Sequence, residues 1–168
     1  MATPLQSPEL AAQDLLERSW GDVIPVDPVK IARYLGIQAF EAQLDSGVAG
    51  VLVKRPGREP TIIMNNLDSP KRQRFTCAHE LGHFVARSND SAEDQENYES
   101  IDLRDALAST GLDPSEVWAN QFGAALLMPA ARVQERFDMG LTSVEMALEF
   151  DVSPDAMQFR MTNLQLVQ

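Results

Sequence analysis

The feature that most constrains the fold of this chain is a recurring pair, a serine or aspartate followed by proline. The oxygen side chain accepts hydrogen bonds from the first free amides of a helix, and proline suits the first helical position because its missing N–H would be unpaired there. Each pair opens a segment of apolar periodicity, so the sequence predicts five helix starts. The pairs are Ser7-Pro8, Asp27-Pro28, Ser69-Pro70, Asp113-Pro114 and Ser153-Pro154.

A sixth helix start is predicted after Thr142, because Thr142 and Glu145 have the spacing of a capping box. Gly36 lies where a helix C-terminus favours glycine. The predicted helices cover residues 8–19, 28–35, 70–87, 114–128, 143–149 and 154–164, with a shorter one over 130–138.

Between residues 37 and 65 the pattern changes from helix to strand. VAGVLV (48–53) and TIIM (61–64) are rich in strand-forming residues, and the polar KRPGREP between them predicts a hairpin loop. IQAF (37–40) adds a third strand. The sequence therefore predicts an α+β fold, a mostly helical core with a small antiparallel sheet of about three strands.

Charge and composition narrow the class of protein. The 168 residues carry a formal net charge of −11, which opposes non-specific attraction to nucleic acids or anionic membranes. The N-terminus lacks the basic and apolar regions of a signal peptide, and no stretch approaches the ~18 apolar residues of a membrane span. We expect a cytoplasmic protein without a membrane partner, folded as one compact unit: a core over 1–140 and a helical segment over 141–168 packed on it.

The two histidines of the chain lie four residues apart within RFTCAHELGHFVARS, as His79 and His83, with Glu80 between them. In a helix this spacing points both imidazoles to one face, where they can bind one metal ion. Glu80 then lies close enough to act on a water bound to that ion. This is the H-E-x-x-H arrangement of zinc peptidases, in which the glutamate is the general base. The alternative interpretation is an ordinary buried helix. Such a helix does not require two histidines four residues apart with a glutamate directly after the first.

A catalytic zinc needs a third protein ligand, and the chain has no third histidine. Cys77, the only cysteine, is too close along the helix to His79 to share its face and is predicted to be a core residue. A carboxylate between Asp90 and Glu116 is therefore expected. Glu116 also has the spacing to close a capping box with Asp113, and spacing alone leaves both roles open.

Two properties of the helix after Asp113 favour Glu116 as the ligand. SEVWANQFGAALLM is apolar and rich in alanine, which predicts burial against the first metal helix. Asn120 lies one turn after Glu116 and is placed to accept the hydrogen bond that a metal-bound imidazole normally donates.

Residues 88–116 carry nine acidic side chains and one basic side chain, which predicts a solvated acidic loop bordering the site. A peptidase also needs a donor for the charge that develops on the attacked carbonyl. Tyr98, Arg104 and Tyr34 are the candidates, with a surface tyrosine and a salt-bridged arginine as the alternative interpretation.

Two motifs together, AHELGH and E-V-W-A-N-Q-F-G-A-A-L-L-M-P, resemble the ImmA/IrrE family of metallo-endopeptidases, and the resemblance extends over about residues 24–164. It implies a gluzincin-type zinc site with His79, His83 and Glu116 as ligands and Glu80 as the base. The family's F-A-A motif reads here as Phe122-Gly123-Ala124. The resemblance further implies a regulatory endopeptidase that cleaves or inactivates a helix-turn-helix repressor, in a stress-response, mobile-element or toxin–antitoxin-like operon.

The C-terminal segment 143–164 is similar to a helix-turn-helix. Its second helix offers only Gln158, Arg160 and Asn163 for DNA contacts, and Asp155 at its start would repel a phosphate. We therefore expect a packing or substrate-docking element, with a DNA-binding regulator as an alternative. A further alternative is a non-catalytic partner-binding protein in which zinc is a structural staple, although such a site would not need Glu80.

Overall fold

The computed structural model describes residues 5–104 and 113–166, which form eight α-helices and four strands. The helices are α1 Pro8–Ser19, α2 Pro28–Tyr34, α3 Pro70–Ala86, α4 Ala92–Glu96, α5 Pro114–Leu127, α6 Ala130–Asp138, α7 Ser143–Phe150 and α8 Pro154–Asn163. The strands are β1 Gln38–Ala42, β2 Val48–Lys54, β3 Thr61–Asn65 and β4 Tyr98–Leu103. The predicted α+β class is confirmed.

The helix starts follow the capping chemistry that the sequence predicts. In each of the five cap–proline pairs, the serine or aspartate side chain accepts a hydrogen bond from an amide in the first turn of its helix. Thr142 and Glu145 form the predicted capping box at the start of α7. Local side-chain chemistry thus sets where each of these six helices begins.

The sheet differs from the prediction of three antiparallel strands. It has four strands in the order β1-β3-β2-β4, and β1 is parallel to β3. The predicted hairpin is present, with β2 antiparallel to β3, and β4 pairs antiparallel with the other side of β2. Because β3 returns from the hairpin to lie beside β1, and both run opposite to β2, that pair is parallel.

The fourth strand lies within the segment that the sequence predicts as an acidic loop. That segment forms a 3₁₀ turn, Arg87–Asn89, then α4 and β4. Along β4, Ile101 and Leu103 are about half exposed, while Ser100 and Asp102 are partly covered. At these positions the usual apolar-inward alternation is reversed, and the high acidic content of the segment predicted a loop instead of a strand. Residues 105–112 of the predicted loop lie outside the described residues.

Helix α3 is held between the sheet and α5 by contacts that only small residues allow. A Cβ built on Gly50 in β2 would lie 2.3 Å from the Thr76 Cγ2 atom of α3. A Cβ on Gly82 would lie 3.0 Å from the Cα of Ala119 in α5, and one on Gly123 would lie 3.2 Å from the backbone nitrogen of His79. The backbones of α3 and α5 therefore approach closely at the level of the histidines.

The two C-terminal helices contribute to the same hydrophobic core as α1, α3 and α5. Met146, Phe150 and Met157 are buried in that core. The Arg160 guanidinium, whose side chain is 5% exposed, donates to both carboxylate oxygens of Glu9, at 2.9 and 2.7 Å, and to the Met128 carbonyl at 2.9 Å. The cation that a DNA-binding helix would need is therefore turned inward. No helix among the described residues is long and apolar enough to cross a membrane.

Candidate metal centre

The structure brings the ligand atoms of His79, His83 and Glu116 together. The Nε2 atoms of the two histidines are 3.1 Å apart. One Glu116 carboxylate oxygen lies 3.1 Å from His79 Nε2, and the other lies 3.0 Å from His83 Nε2. The histidines lie one turn apart on buried α3, and Glu116 lies in the first turn of α5, so the close packing of these two helices builds the cluster.

This cluster has the donor set and spacing of a divalent metal site. In a tetrahedral zinc site, metal–ligand distances of about 2.0–2.1 Å separate the ligand atoms by roughly 3.3 Å. The distances of 3.0–3.1 Å in the cluster are close to that value. Two imidazole nitrogens and a carboxylate facing one another are electron-rich, and a cation between them would bind all three.

Asn120 fixes the orientation of the first imidazole. Its Oδ1 atom lies 2.8 Å from His79 Nδ1, so Nδ1 donates and the lone pair of Nε2 is left facing the cluster. Both Glu116 carboxylate oxygens lie against the histidine nitrogens, while the start of α5 is capped by the Asp113 carboxylate, which accepts a hydrogen bond from the Ser115 amide at 2.9 Å. Glu116 and Asn120, the two residues of α5 that the sequence predicts for the site, thus both face the histidines.

The electrostatics of the cluster favour one positive charge held among the three ligands. Burial alone would lower the pKa of His79, but the hydrogen bond that Nε2 of the protonated ring donates to Glu116, together with the surrounding carboxylates, outweighs burial and raises that pKa. Burial lowers the pKa of His83 to about 4, and the charge on His79 acts in the same direction. The hydrogen bond from His79 lowers the pKa of Glu116.

Glu80 lies beside this cluster and is fully buried. Its two carboxylate oxygens have no hydrogen-bond partner among the described residues. Burial raises the pKa of Glu80 to about 8, while the charge on His79 acts to lower it. A buried carboxylate without a partner is unfavourable, and a cation or a polar ligand at the cluster would compensate for that cost.

Asp102 lies at the site, although the sequence did not single it out among the carboxylates between Asp90 and Glu116. Its carboxylate lies within 4.8 Å of ligand atoms of both His79 and Glu80, and burial raises its pKa. It pairs with Gly50 at an irregularity in the β2–β4 register, where β2 touches α3. Only the pairing of β4 with β2 brings this residue to the site, so no local sequence signal could have found it.

The structure does not bring the predicted carbonyl-stabilising residues to the cluster. The ring of Tyr98 lies at the opposite end of β4 from Asp102, with the Arg87 guanidinium 4.4 Å above it. Arg104 forms an ion pair with Asp68 and donates to the Ser46 carbonyl. Tyr34, at the end of α2, is 60% exposed.

Cys77 is buried, as the sequence predicts, and burial raises its pKa to about 12. A thiol so resistant to ionisation is a poor metal ligand, because metals bind the thiolate. The candidate metal ligands at this level of α3 are therefore nitrogen and carboxylate donors.

Known proteins share this architecture. The structure of a Mycobacterium tuberculosis transcriptional regulator superposes with a TM-score of 0.59 at 18% identity, covering 92% of this chain and 46% of that protein. At that identity the likeness shows the fold alone.

Sequence comparison finds a relative among metalloproteases. The chain is 29% identical over 174 aligned positions to the radiation response metalloprotease IrrE of Deinococcus radiodurans, an alignment that spans 95% of this chain and 50% of the relative. The chain therefore spans about half the length of that protein. The profile of the peptidase family M78, described as the IrrE N-terminal-like domain, matches residues 32–162, which include the histidine pair, Glu116 and Asn120. The chain belongs to this family of metalloprotease domains.

Proposed function

We propose that the protein is a zinc-dependent endopeptidase in which His79, His83 and Glu116 hold the ion and Glu80 is the general base. The observation that carries the proposal is the convergence of three ligand residues, whose facing atoms are 3.0–3.1 Å apart, beside a buried carboxylate without a partner among the described residues. When bound there, a zinc ion would polarise the peptide carbonyl and acidify a water molecule.

The residues of the chain supply the proton transfers. A Glu80 carboxylate oxygen accepts a proton from the attacking water and then delivers it to the nitrogen of the leaving amine. Burial raises the pKa of Glu80, so its ionised form is a stronger base than an exposed carboxylate, and a cation at the cluster would favour that ionised form. Asn120 keeps the His79 ring oriented, and the close α3–α5 contact keeps Glu116 in reach of both histidines.

We propose a protein substrate, a helix-turn-helix repressor or antitoxin, in the cytoplasm. The family resemblance supports this class, and the name of the Deinococcus radiodurans relative describes a radiation response metalloprotease. The net charge of −11 would favour the approach of a basic DNA-binding protein. Direct binding of DNA by the protein itself is disfavoured by the same charge and by the buried ion pair of Arg160. Cleavage of such a substrate would regulate transcription.

The test is a comparison of wild type with Glu80→Gln, using Glu93→Gln on exposed α4 as the matched control. Zinc per chain is measured first, followed by cleavage of a proteome-derived peptide library and of candidate repressors. We expect about one zinc in all three proteins and a loss of about 10²–10⁴-fold in cleavage rate for Glu80→Gln alone. Cleavage by Glu80→Gln at the wild-type rate would refute the mechanism. Stoichiometric repressor binding without fragments in wild type would favour zinc as a structural staple.

A further inference from the structure

A cavity of about 440 Å³ lies where the end of α3 meets the start of β4 and the ends of α1 and α2. Its apolar wall includes Phe84 and the Tyr98 ring. Three cationic side chains line it, Arg18, Lys54 and Arg87, against one acidic side chain, Glu96. In a chain with 14 basic and 25 acidic residues, this is a local excess of positive charge in an acidic molecule.

Most of the charge of Lys54 is already compensated. Its ammonium group lies 2.9 Å from the Glu96 carboxylate, and its side chain is only 13% exposed. This ion pair accounts for the one acidic residue of the cavity wall. The excess that can act on a ligand therefore comes from the two arginines.

Arg87 has an unused donor beside the cavity. Its guanidinium lies over the Tyr98 ring, and one terminal nitrogen is 3.6 Å from Asp90. Its Nε atom is buried and has no hydrogen-bond partner among the described residues. An unsatisfied buried donor is unfavourable, and a carboxylate is the acceptor whose two oxygens match a guanidinium edge.

The cavity and the metal centre are lined by successive turns at the end of α3. Arg87 follows His83 by four residues at the end of α3, which corresponds to one turn, about 6 Å along the helix axis. The charge of Arg87 acts on the pKa of both His83 and Glu80, which agrees with this proximity. A side chain of a peptide held at the cluster, within a few residues of the attacked bond, can therefore reach the cavity.

We propose that this cavity is a specificity subsite for an acidic side chain of the substrate, near the bond that is cleaved. The aliphatic stem of a glutamate would pack on Phe84 and Tyr98, and its carboxylate would bind Arg87. This inference rests on the proposed peptidase function, but binding at the cavity can be tested without cleavage.

The binding test uses N-acetylglutamate amide as the probe and N-acetylglutamine amide as its neutral control. Nuclear magnetic resonance follows the Nε–Hε signal of Arg87, which is assigned as the signal missing in Arg87→Lys. We expect saturable shifts with the glutamate compound only, unchanged in Arg58→Ala, an exposed arginine of the β2–β3 loop. Equal shifts with both compounds, or no shift with either, would overturn the proposal.

The cleavage test uses the zinc-loaded protein and a proteome-derived peptide library. We expect aspartate or glutamate to be enriched at one fixed position relative to the cut, by about tenfold or more. Arg87→Glu, checked for retention of one zinc, should replace that preference with lysine or arginine, whereas Arg58→Ala should not. An acidic preference that persists in Arg87→Glu, or its absence in wild type, would contradict the subsite. A wild type that cleaves no peptide or repressor would contradict the peptidase function instead. The binding test would still show whether the cavity binds an acidic side chain.

Discussion

The hydrogen bond between Asn120 and His79 decides which imidazole nitrogen faces the metal centre. With Nδ1 donating to Asn120, the Nε2 lone pair lies toward His83 and Glu116. Loss of this bond would free the ring to rotate and the tautomer to change. Glu116 contributes differently, since it supplies ligand atoms and negative charge directly.

Substitutions at these two positions should therefore have graded effects on zinc binding. We expect Asn120→Ala to weaken zinc affinity by about 10–100-fold, because the ligand remains but loses its orientation. Glu116→Ala should lose most of the zinc on purification, because only two protein ligands remain. Competition with a chromophoric chelator measures both, with Asn163→Ala on the exposed face of α8 as the control.

A full zinc complement in Glu116→Ala would be the informative contradiction. It would assign the third ligand to another carboxylate, and Asp102, within 4.8 Å of His79 and Glu80, would be the first to test.

At the residue scale, what could be predicted depended on how the residues are connected. His79, Glu80 and His83 share one helix, so helical spacing was sufficient to propose them. Glu116 and Asn120 share another helix, but there spacing left the role of Glu116 open, and the apolar character of the helix and the family resemblance favoured it as the ligand. Asp102 reaches the site only through the pairing of β4 with β2. Tyr98 and Arg104 were proposed from their position in the chain, and their packing on Arg87 and Asp68 could not be read from the sequence.

At the scale of elements, the helix starts were predictable because capping is local. The order and direction of the strands were not predictable, because they depend on contacts between distant parts of the chain. The parallel β1–β3 pair depends on which side of the hairpin lies beside β1. In β4, Ile101 and Leu103 are about half exposed, within a segment whose acidic content predicts a loop. The close approach of α3 to α5 depends on two glycines, Gly82 and Gly123. Phe122-Gly123-Ala124 was visible as a departure from the family's motif, but the contact of Gly123 with the His79 backbone required the structure.

Gly82→Ala tests this helix contact. The added methyl would lie 3.0 Å from the Ala119 Cα and 3.1 Å from the Phe122 ring, so the helices must move apart. We expect a loss of about 1–3 kcal/mol in the free energy of unfolding, measured in urea, together with weaker zinc binding. Gly47→Ala, where a Cβ meets nothing within 4 Å, is the matched control. Unchanged stability in Gly82→Ala would show that α3 and α5 can separate at little cost.

At the scale of the whole molecule, Arg160 connects the C-terminal helices to the first helix and to the end of α5. Its side chain is 5% exposed, while that of its partner Glu9 is 44% exposed. The two partners should therefore not be equally costly to remove. Without Glu9 a buried guanidinium loses its counter-charge, whereas without Arg160 the carboxylate can be hydrated.

Glu9→Ala is accordingly expected to destabilise the protein more than Arg160→Met, by roughly 2–3 kcal/mol against about 1 kcal/mol. Urea unfolding monitored by tryptophan fluorescence and by circular dichroism measures both free energies. A larger loss for Arg160→Met would mean that its hydrogen bond to the Met128 carbonyl outweighs the ion pair.

The contact between Gly50 and Thr76 also governs how the protein opens to solvent. Because no Cβ separates them, α3 lies directly on β2 while its other side touches α5. Opening α3 locally would require both contacts to part at once, whereas α4, which has no buried residue, can open alone. In deuterated water, the amides from Thr76 to Gly82 should therefore exchange only through global unfolding, and those of α4 much earlier.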